Sequence, residues 1–252
     1  QVVLNVDSSQ IEARILVWLA GQEDVTTWFA EGRDTYCEFA SKVYGRTITK
    51  ADAIERFVGK TCTLGLGFGT GWRKLQHTLK TSPPGQALPD DECKRLVKVY
   101  RDLNHKVIGF WGACDRALEH IANWPEGLEP YYLGEHRCVI VDRHGIKLPN
   151  GLYIYYPELH YDTSEEKSGF VYKSRRGKVN IWGGAMTENI VQALARIVIG
   201  EQMVAVNARY RPALTVHDAI ICVAPESEKD EALSFLMEEM GRPPEWATEL
   251  PI

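Results

Sequence analysis

The hydrophobic pattern changes its period within the first twenty residues of the chain. A β-branched run over residues 2–6 is typical of a strand, and Ile11, Ile15 and Leu19 then recur at the four-residue spacing of a helix face. Residues 7–9, Asp-Ser-Ser, join the two patterns. The sequence therefore predicts a strand, a tight turn and a helix at the start of the chain.

The turn holds a carboxylate that the predicted helix does not need. Ser9 and Glu12 fit a capping box, in which the serine oxygen accepts from a free helix N–H and the glutamate reaches back. On this interpretation Asp7 has no structural duty. The alternative is that Asp7 is itself the N-cap, because Asp is a common residue at that position.

Helical patterns fill the next part of the chain, and strand patterns follow them. Helices are predicted over residues 24–30, 35–43, 51–68 and 90–104, and a further helix follows and ends near residue 121. Loops are predicted at the glycines of 65–71 and at Pro83-Pro84-Gly85. From Tyr131 onward, short β-branched and aromatic runs between Gly, Pro and Asp predict antiparallel strands. The fold class is thus α+β, with an all-helical insertion.

The last third of the chain contains a buried helix and a tight hairpin. Residues 187–208 are apolar on nearly every side, which is typical of a helix inside the core. In ALTVHDAIICVAP, two apolar runs flank His217 and Asp218, so these polar residues are predicted at the tip of a hairpin. An amphipathic helix over residues 226–240 is expected to follow.

Composition narrows the class of protein. The net charge of −5 argues against indiscriminate binding to nucleic acid, and the six cysteines, with no C-x-x-C pair, indicate free thiols in a reducing cytoplasm. No uninterrupted apolar run reaches about 18 residues, so no membrane partner is expected. The chain begins inside an apolar strand and ends near prolines, and we therefore expect it to be a segment of a longer protein.

Basic residues nevertheless form three local groups. Such groups can hold phosphates at one face of an acidic protein, although a solvated helix face explains each of them equally well. The groups are Arg56, Lys60, Arg73, Lys74, His77 and Lys80; Lys94, Arg95, Lys98, Arg101 and Lys106; and Lys173, Arg175, Arg176 and Lys178.

Asp218 is a partner for Asp7, because each acid lies at the end of an apolar strand that would be central in its sheet. Neighbouring strands would bring the two carboxylates together, and two such groups repel each other unless divalent cations lie between them. Hard oxygen ligands without clustered His or Cys predict Mg²⁺, with Mn²⁺ as the alternative. A polar hairpin tip is the other interpretation of His217 and Asp218.

The helix before the glycine run carries a face suited to a nucleotide. Arg56, Lys60, Leu64 and Phe68 recur every four residues, so two cations are followed by two apolar side chains. This face would bind a polyphosphate at one end and stack a base or sugar at the other. Gly59-Lys60-Thr61 is not a P-loop, because a helix precedes it and its first glycine position holds Ile54.

Three motifs together resemble a known family. VDSSQIEARIL, the Arg56-x-x-x-Lys60 helix running into GLGFG, and TVHDA are similar, in order and spacing, to the polymerase motifs of family A DNA polymerases. GGAMTENIVQALAR resembles the bacteriophage branch of that family. The resemblance implies a right-hand palm at residues 1–33, helical fingers at 34–130 and the second part of the palm at 131–252.

The resemblance also implies an activity and a role for each site residue. The expected reaction is template-directed DNA synthesis by two-metal nucleotidyl transfer, with two Mg²⁺ ions bound by Asp7 and Asp218. Lys60 would be catalytic beside them. The residues expected to bind the nucleotide are Arg56, Lys60, Glu12 as a steric gate against ribose, Leu64, Phe68 and Tyr36. Those expected to contact DNA are His217, Gln10 and Arg73.

The expected partners and place of action follow from the same resemblance. They are primer-template DNA, deoxynucleoside triphosphates and a processivity factor, in the cytoplasm of a bacterial host. A thumb and a proofreading exonuclease are expected in the part of the polypeptide before Gln1.

Four positions depart from the family pattern. Leu64 stands where an aromatic residue is usual, and Phe68, which cannot hydrogen-bond Glu12, replaces a common tyrosine. Tyr36 stands where a histidine is frequent, and Ala219 replaces a glutamate near the metals. We therefore expect an active enzyme with altered fidelity or altered nucleotide selection.

Two rival functions remain open from the sequence. A single-subunit RNA polymerase would share the palm chemistry, but Glu12 argues against it. A DNA-binding scaffold without catalysis would keep the fold, but Asp7 and Asp218 argue against that.

Overall fold

The computed structural model describes residues 1–164 and 168–252 and combines helices with antiparallel sheets. The helices are α1 (Ile11–Ala20), α2 (Glu23–Ala30), α3 (Thr35–Tyr44), α4 (Ala53–Leu66), α5 (Trp72–Thr81), α6 (Asp90–Leu103), α7 (His105–Ala122), α8 (Gly183–Asn207) and α9 (Lys229–Met240). The strands are β1 (Val2–Asp7), β2 (Tyr131–Tyr132), β3 (Ile140–Asp142), β4 (Gly145–Lys147), β5 (Tyr153–Ile154), β6 (His160–Asp162), β7 (Gly169–Ser174), β8 (Gly177–Ile181), β9 (Pro212–Val216) and β10 (Ala219–Ala224). The predicted α+β class is confirmed.

The sheet that carries both predicted acids has the strand order β1-β10-β9. Its strands are antiparallel, and the first and last pairs between β1 and β10 are Val2 with Ala224 and Asp7 with Ala219. Because side chains alternate between the faces of a strand, Leu4, Ile220 and Cys222 point into a core against α8 and α9. The opposite face of this sheet is open to solvent.

α8 lies at the centre of the main core. Its apolar side chains pack with those of α1 and α7 and with the sheet of order β2-β3-β4-β5, as in Ile190, Val191 and Leu194. Within the described ranges this helix alone is long and apolar enough, by length and composition, to cross a membrane. Its packing on several sides gives the ordinary explanation of that composition, which is a buried core helix.

The helical insertion has a separate core. Side chains from α3, α4, α5 and α6 form one buried cluster, which includes Phe39, Val58, Leu75 and Leu96. The apolar face of α7 instead packs into the main core beside α1 and α8. The boundaries of the palm and fingers at residues 33 and 130 remain a prediction.

The structure corrects the predicted start of the first helix. α1 begins at Ile11, and its N-cap is Gln10 in the left-handed region with φ of 58°, without a side-chain cap. Ser9 does not cap the helix, and its carbonyl accepts a bond from Arg14 Nε at 2.7 Å. The capping box is wrong because the chain turns at Gln10, whose side-chain oxygen accepts a 2.9 Å bond from the Thr35 hydroxyl.

Two other elements differ from the sequence prediction. α5 forms a separate helix between the glycines and the proline loop, and α8 begins at Gly183, four residues earlier than expected. The predicted hairpin at His217 and Asp218 is confirmed by the pairing of β9 with β10. All six cysteines are free, as predicted.

Candidate active site

The two predicted acids lie side by side where β1 and β10 meet. Asp7 ends β1, Asp218 immediately precedes β10, and the amide of Ser8 donates a 3.1 Å bond to the carbonyl oxygen of Asp218. His217 adopts a φ of 54° at the hairpin tip, which lets a two-residue turn connect the strands. The turn geometry therefore directs both carboxyl groups to one edge of the sheet.

The two carboxyl groups affect each other directly. Partial burial, the negative charge of Asp218 and a side-chain hydrogen bond with Asp218 all raise the pKa of Asp7. Asp7 stays exposed to solvent, so the neighbouring acid rather than deep burial distinguishes it from an ordinary aspartate. Two neighbouring carboxylates favour a shared proton or a bound cation.

Two further acids extend this negative region. Burial and then the charges of Glu188 and Asp218 raise the pKa of Glu12. Glu12 therefore faces the acid pair from the first turn of α1, although it does not cap that helix. Glu188 extends into the same region from α8, so the core helix also contributes to the site.

This donor set fits divalent cations. Carboxylate oxygens are the hard ligands that Mg²⁺ and Mn²⁺ prefer, and mutual repulsion of Asp7 and Asp218 would be relieved by positive charge between them. Over residues 1–164 and 168–252, no cluster of three or more His, Cys, Asp or Glu is arranged to hold a metal. The protein would therefore supply a pair of carboxylates, and substrate or water would supply the remaining ligands of the cations.

The cationic part of α4 is divided between a free and a bound side chain. Lys60 is exposed, whereas Arg56 Nε and its terminal nitrogen each lie 2.8 Å from a carboxylate oxygen of Asp34. Burial alone would lower the pKa of Arg56, but the hydrogen bond and charge of Asp34 raise it. Arg56 is thus oriented in the absence of a substrate, and Lys60 is available to one.

Tyr36 links α3 to the acid pair. Only 7% of this residue is exposed, and the guanidinium of Arg56 lies 5.3 Å from the centre of its ring. Burial raises the pKa of Tyr36 to about 12, the charge of Arg56 opposes this rise, and those of Asp34 and Asp218 add to it. The hydroxyl group is therefore neutral at physiological pH and near enough to Asp218 to be affected by its charge.

Leu64 and Phe68 line an open cavity of about 430 Å³ between the end of α4, α5 and the start of α8. Leu64 is 43% exposed, and Phe68, in the turn after α4, is half-buried against the main core. Lys74 and Glu188 also line this cavity, so its wall combines apolar side chains with charges of both signs. Ordinary core packing thus explains part of Phe68 but not Leu64.

The three predicted DNA contacts lie in different places. His217 is exposed beside Asp218, and Gln10 is half-buried in the turn between β1 and α1. Arg73 is exposed on α5, with its guanidinium 4.7 Å from the centre of the Trp72 ring. The first two belong to the same edge of the sheet as the acids, whereas Arg73 belongs to the helical subdomain.

The basic groups differ in how many of their side chains form ion pairs. On α6, Lys94 pairs with Asp91, Arg95 with Glu92 and Lys98 with Asp102, so this run is a solvated helix face. On the hairpin of β7 and β8, Lys173 pairs with Glu158 and Lys178 with Asp162. The basic side chains of α5 are exposed and keep the electrostatic interpretation open; they are Arg73, Lys74, His77 and Lys80.

The sequence pattern missed three residues of the site. Asp34 orients Arg56, Glu188 adds charge near Glu12, and Trp182 forms part of the cavity wall. Glu188 had a detectable signal, because it is the one charged residue among residues 183–195 of α8. The pairing of Asp34 with Arg56 and the contacts of Trp182 gave none, since these partners are distant in sequence.

Comparison with known proteins relates this geometry to a family. Residues 1–123 match the profile of DNA polymerase family A. The chain is 31% identical, over 98% of its length, to a DNA polymerase of Bacillus phage SP02, of which it covers 39%. Over 39% of the chain it is 31% identical to the thermostable DNA polymerase I of Thermus aquaticus, of which the match covers 11%.

The fold is that of a solved polymerase domain. The polymerase domain of Pol1 from M. smegmatis, in complex with DNA primer-template and dNTP, superposes with a TM-score of 0.68. The match has 22% sequence identity and covers 99% of this chain and 38% of that one. The chain therefore spans about two fifths of the length of the phage relative and of this structure.

Proposed function

We propose that this chain, a member of DNA polymerase family A, forms the catalytic core of an enzyme that copies a DNA template by adding deoxynucleotides to a primer 3′-hydroxyl. One observation carries the proposal. Asp7 ends β1 and Asp218 immediately precedes its partner strand β10, so strand pairing and the Ser8–Asp218 backbone bond place the two acids next to each other. Neither strand needs this acid for its pairing, and like charges in contact are costly unless they serve a ligand.

Asp7 and Asp218 would hold two Mg²⁺ ions, for which Mn²⁺ could substitute. When bound, such ions lower the pKa of an attacking hydroxyl group and neutralise charge on a triphosphate. The role of the protein is to hold the two carboxyl groups next to each other, and the Ser8 amide bond to the Asp218 carbonyl oxygen fixes the backbone at this point. The backbone of both acids is set by strand pairing before a substrate arrives, so little reorganisation of the strands is needed.

The cations of α4 would bind the triphosphate. Lys60 would neutralise charge on the leaving pyrophosphate and donate a proton to it, and Arg56 would contact the phosphates from its position on Asp34. Tyr36 supports the Arg56 guanidinium with its ring, and its neutral hydroxyl group can donate to a phosphate oxygen. The nucleotide would thus meet two cations on α4 and one hydroxyl group on α3.

The apolar residues and Glu12 would select the nucleotide. Leu64 and Phe68 would pack against the sugar and base, and Glu12 would exclude a ribose 2′-hydroxyl group by its bulk and charge. His217 would contact the primer terminus near the acids, and Gln10 and Arg73 would also contact the DNA. Because Phe68 has no hydroxyl group, Glu12 has no tyrosine partner at that position.

The wider assignments remain proposals of the same kind. We propose palm at residues 1–33 and 131–252 and fingers at 34–130, with primer-template DNA and dNTPs as partners and a processivity factor in addition. The phage relative makes the cytoplasm of a bacterial host the proposed place of action.

Primer extension by the complete protein tests the proposal. With a primed DNA template and Mg²⁺, we expect extension with dNTPs, dependence on template sequence and loss of activity after removal of divalent cations. Equal extension with ribonucleotides would favour an RNA polymerase. Binding of primer-template without any extension would favour a scaffold that has kept the fold.

A further inference from the structure

The indole ring of Trp182 lies against two glycine backbones from different parts of the fold. A methyl group on Gly69, in the turn after α4, or on Gly184, in the first turn of α8, would overlap this ring. Gly69 also has a φ of +80°, which side chains rarely adopt. The two glycines therefore form a slot in which the ring joins the end of α4 to the start of α8.

A second tryptophan holds the same turn of α4. The indole N–H of Trp111, on α7, donates a 2.9 Å bond to the carbonyl oxygen of Gly67. Its ring meets the Trp182 ring edge to face, with centroids 5.7 Å apart. Since Trp111 is buried in the main core, the last turn of α4 is connected to that core through both rings.

The backbone beside Trp182 is also fixed. The amide of Gly183 donates to Asp115 Oδ1, and a methyl group on Gly183 would overlap the carbonyl of Trp111. The start of α8 is therefore packed closely onto α7. A ring attached to this backbone cannot follow α4 if α4 moves, so it acts as a fixed wall.

The packing contacts of Trp182 leave part of its ring exposed. It is 43% exposed and lines the 430 Å³ cavity together with Leu64 and Phe68. A tryptophan that packed only for stability would gain by covering more of its surface. Its position between a buried anchor and an open cavity indicates a role in shaping the cavity.

We propose that Trp182 is a positioning residue that sets the place of the C-terminal turn of α4, and through it of Lys60, Leu64 and Phe68. Its effect on nucleotide use rests on the proposed function, whereas its effect on α4 does not. The ring touches the turn that follows Leu66, and α4 is a continuous helix back to Lys60. Loss of the ring would therefore misplace the nucleotide-binding face of α4, although α4 would keep all of its own side chains.

Kinetics of the complete protein test this role. Trp182→Ala should raise KM for the incoming dNTP by about tenfold to a hundredfold, because a small misplacement of binding groups has effects of this size. The Kd for primer-template should stay unchanged. In Trp182→Phe, KM should return close to the wild-type value. An unchanged KM in Trp182→Ala would overturn the inference. An equally large rise in KM in Trp182→Phe would overturn it too.

Two glycines of α8 provide a matched pair of variants. Gly184→Ala would force the Trp182 ring to move, whereas a methyl group on Gly200 meets nothing within 4 Å. We expect Gly184→Ala to raise KM and Gly200→Ala to leave it unchanged. In a Trp182→Ala background, Gly184→Ala should not raise KM any further. Equal effects of Gly184→Ala and Gly200→Ala on KM would overturn the inference.

Hydrogen exchange separates this inference from the proposed function. In Trp182→Ala the amides of residues 66–69 should exchange faster than in the wild type, and in Trp182→Phe they should not. Unchanged exchange in Trp182→Ala would overturn the inference whatever the activity. A wild-type protein that extends no primer would refute the proposed function, while faster exchange in Trp182→Ala would still support the role of the ring.

Discussion

The amide of Ser8 donates a 3.1 Å hydrogen bond to the carbonyl oxygen of Asp218, which ties the turn after β1 to the tip of the late hairpin. This bond extends the antiparallel ladder by one step beyond the pair of Asp7 with Ala219. It places two acids from opposite ends of the chain next to each other. The predictions below depend on this juxtaposition and on the contacts around it.

Removal of either acid should abolish primer extension. Asp7→Ala or Asp218→Ala should lower the extension rate by at least about a thousandfold, since metal ligation supplies several kcal/mol of transition-state stabilisation. Primer-template binding, measured by fluorescence anisotropy, should change little. Asn5→Ala is the matched control, because Asn5 is exposed two residues earlier on the same strand. Extension at the wild-type rate in either acid variant would contradict the metal assignment.

The raised pKa of Asp7 predicts how stability depends on pH. A carboxyl group with a raised pKa in the folded state stabilises the fold when protonated, and this contribution is lost as pH rises through that pKa. At pH 7 without divalent cations, Asp7→Asn should raise the Tm by roughly 1–3 °C, because exposed charge pairs contribute at most about 1 kcal/mol. The difference should shrink below the ordinary pKa of Asp, near pH 4.

Addition of Mg²⁺ should reverse the order of these two proteins. Binding to the folded state alone raises the Tm, so the wild type should be stabilised and Asp7→Asn much less. Thermal unfolding with and without EDTA measures both effects. A lower Tm for Asp7→Asn in EDTA at pH 7 would show that the two acids do not repel each other.

Glu12 should discriminate against ribonucleotides. Glu12→Ala should raise the ratio of rNTP to dNTP incorporation by about tenfold or more, because a contact that excludes a hydroxyl group is lost. Single-nucleotide incorporation with each substrate gives this ratio. Glu23→Ala, which removes an exposed acid from the first turn of α2, should not change it. A constant ratio in Glu12→Ala would mean that another residue is the gate.

Asp34 has two separable structural roles. Its Oδ1 accepts a 3.2 Å bond from the amide of Cys37 and caps α3, and its Oδ2 binds Arg56. Asp34→Ala should lower the free energy of unfolding by about 1–2 kcal/mol through loss of the cap. Asp34→Asn keeps a capping oxygen and should lose less than half of that amount in urea unfolding. Equal losses in both variants would show that the ion pair, not the cap, stabilises this region.

The sequence predicted features that depend on neighbours within one or two turns. The change of period at residues 7–9, the hairpin at His217 and Asp218, and the buried α8 were all visible, because strand and helix periods are local properties. The four-residue spacing of Arg56, Lys60 and Leu64 likewise placed them along α4. The alternative helix starts at Ser9 or Asp7 could not be resolved locally, since the left-handed Gln10 is fixed by Thr35 from α3.

What the sequence determined by itself was the set of elements and the chemical types at their ends. Only the tertiary structure decided which groups meet: the register that aligns Asp7 with Ala219, the ion pair between Arg56 and Asp34, and the slot that holds Trp182. The reason is physical, because local periodicity follows from the backbone geometry of a single segment. Contacts between distant segments depend on how separate cores pack against each other, and no short stretch of sequence encodes that packing.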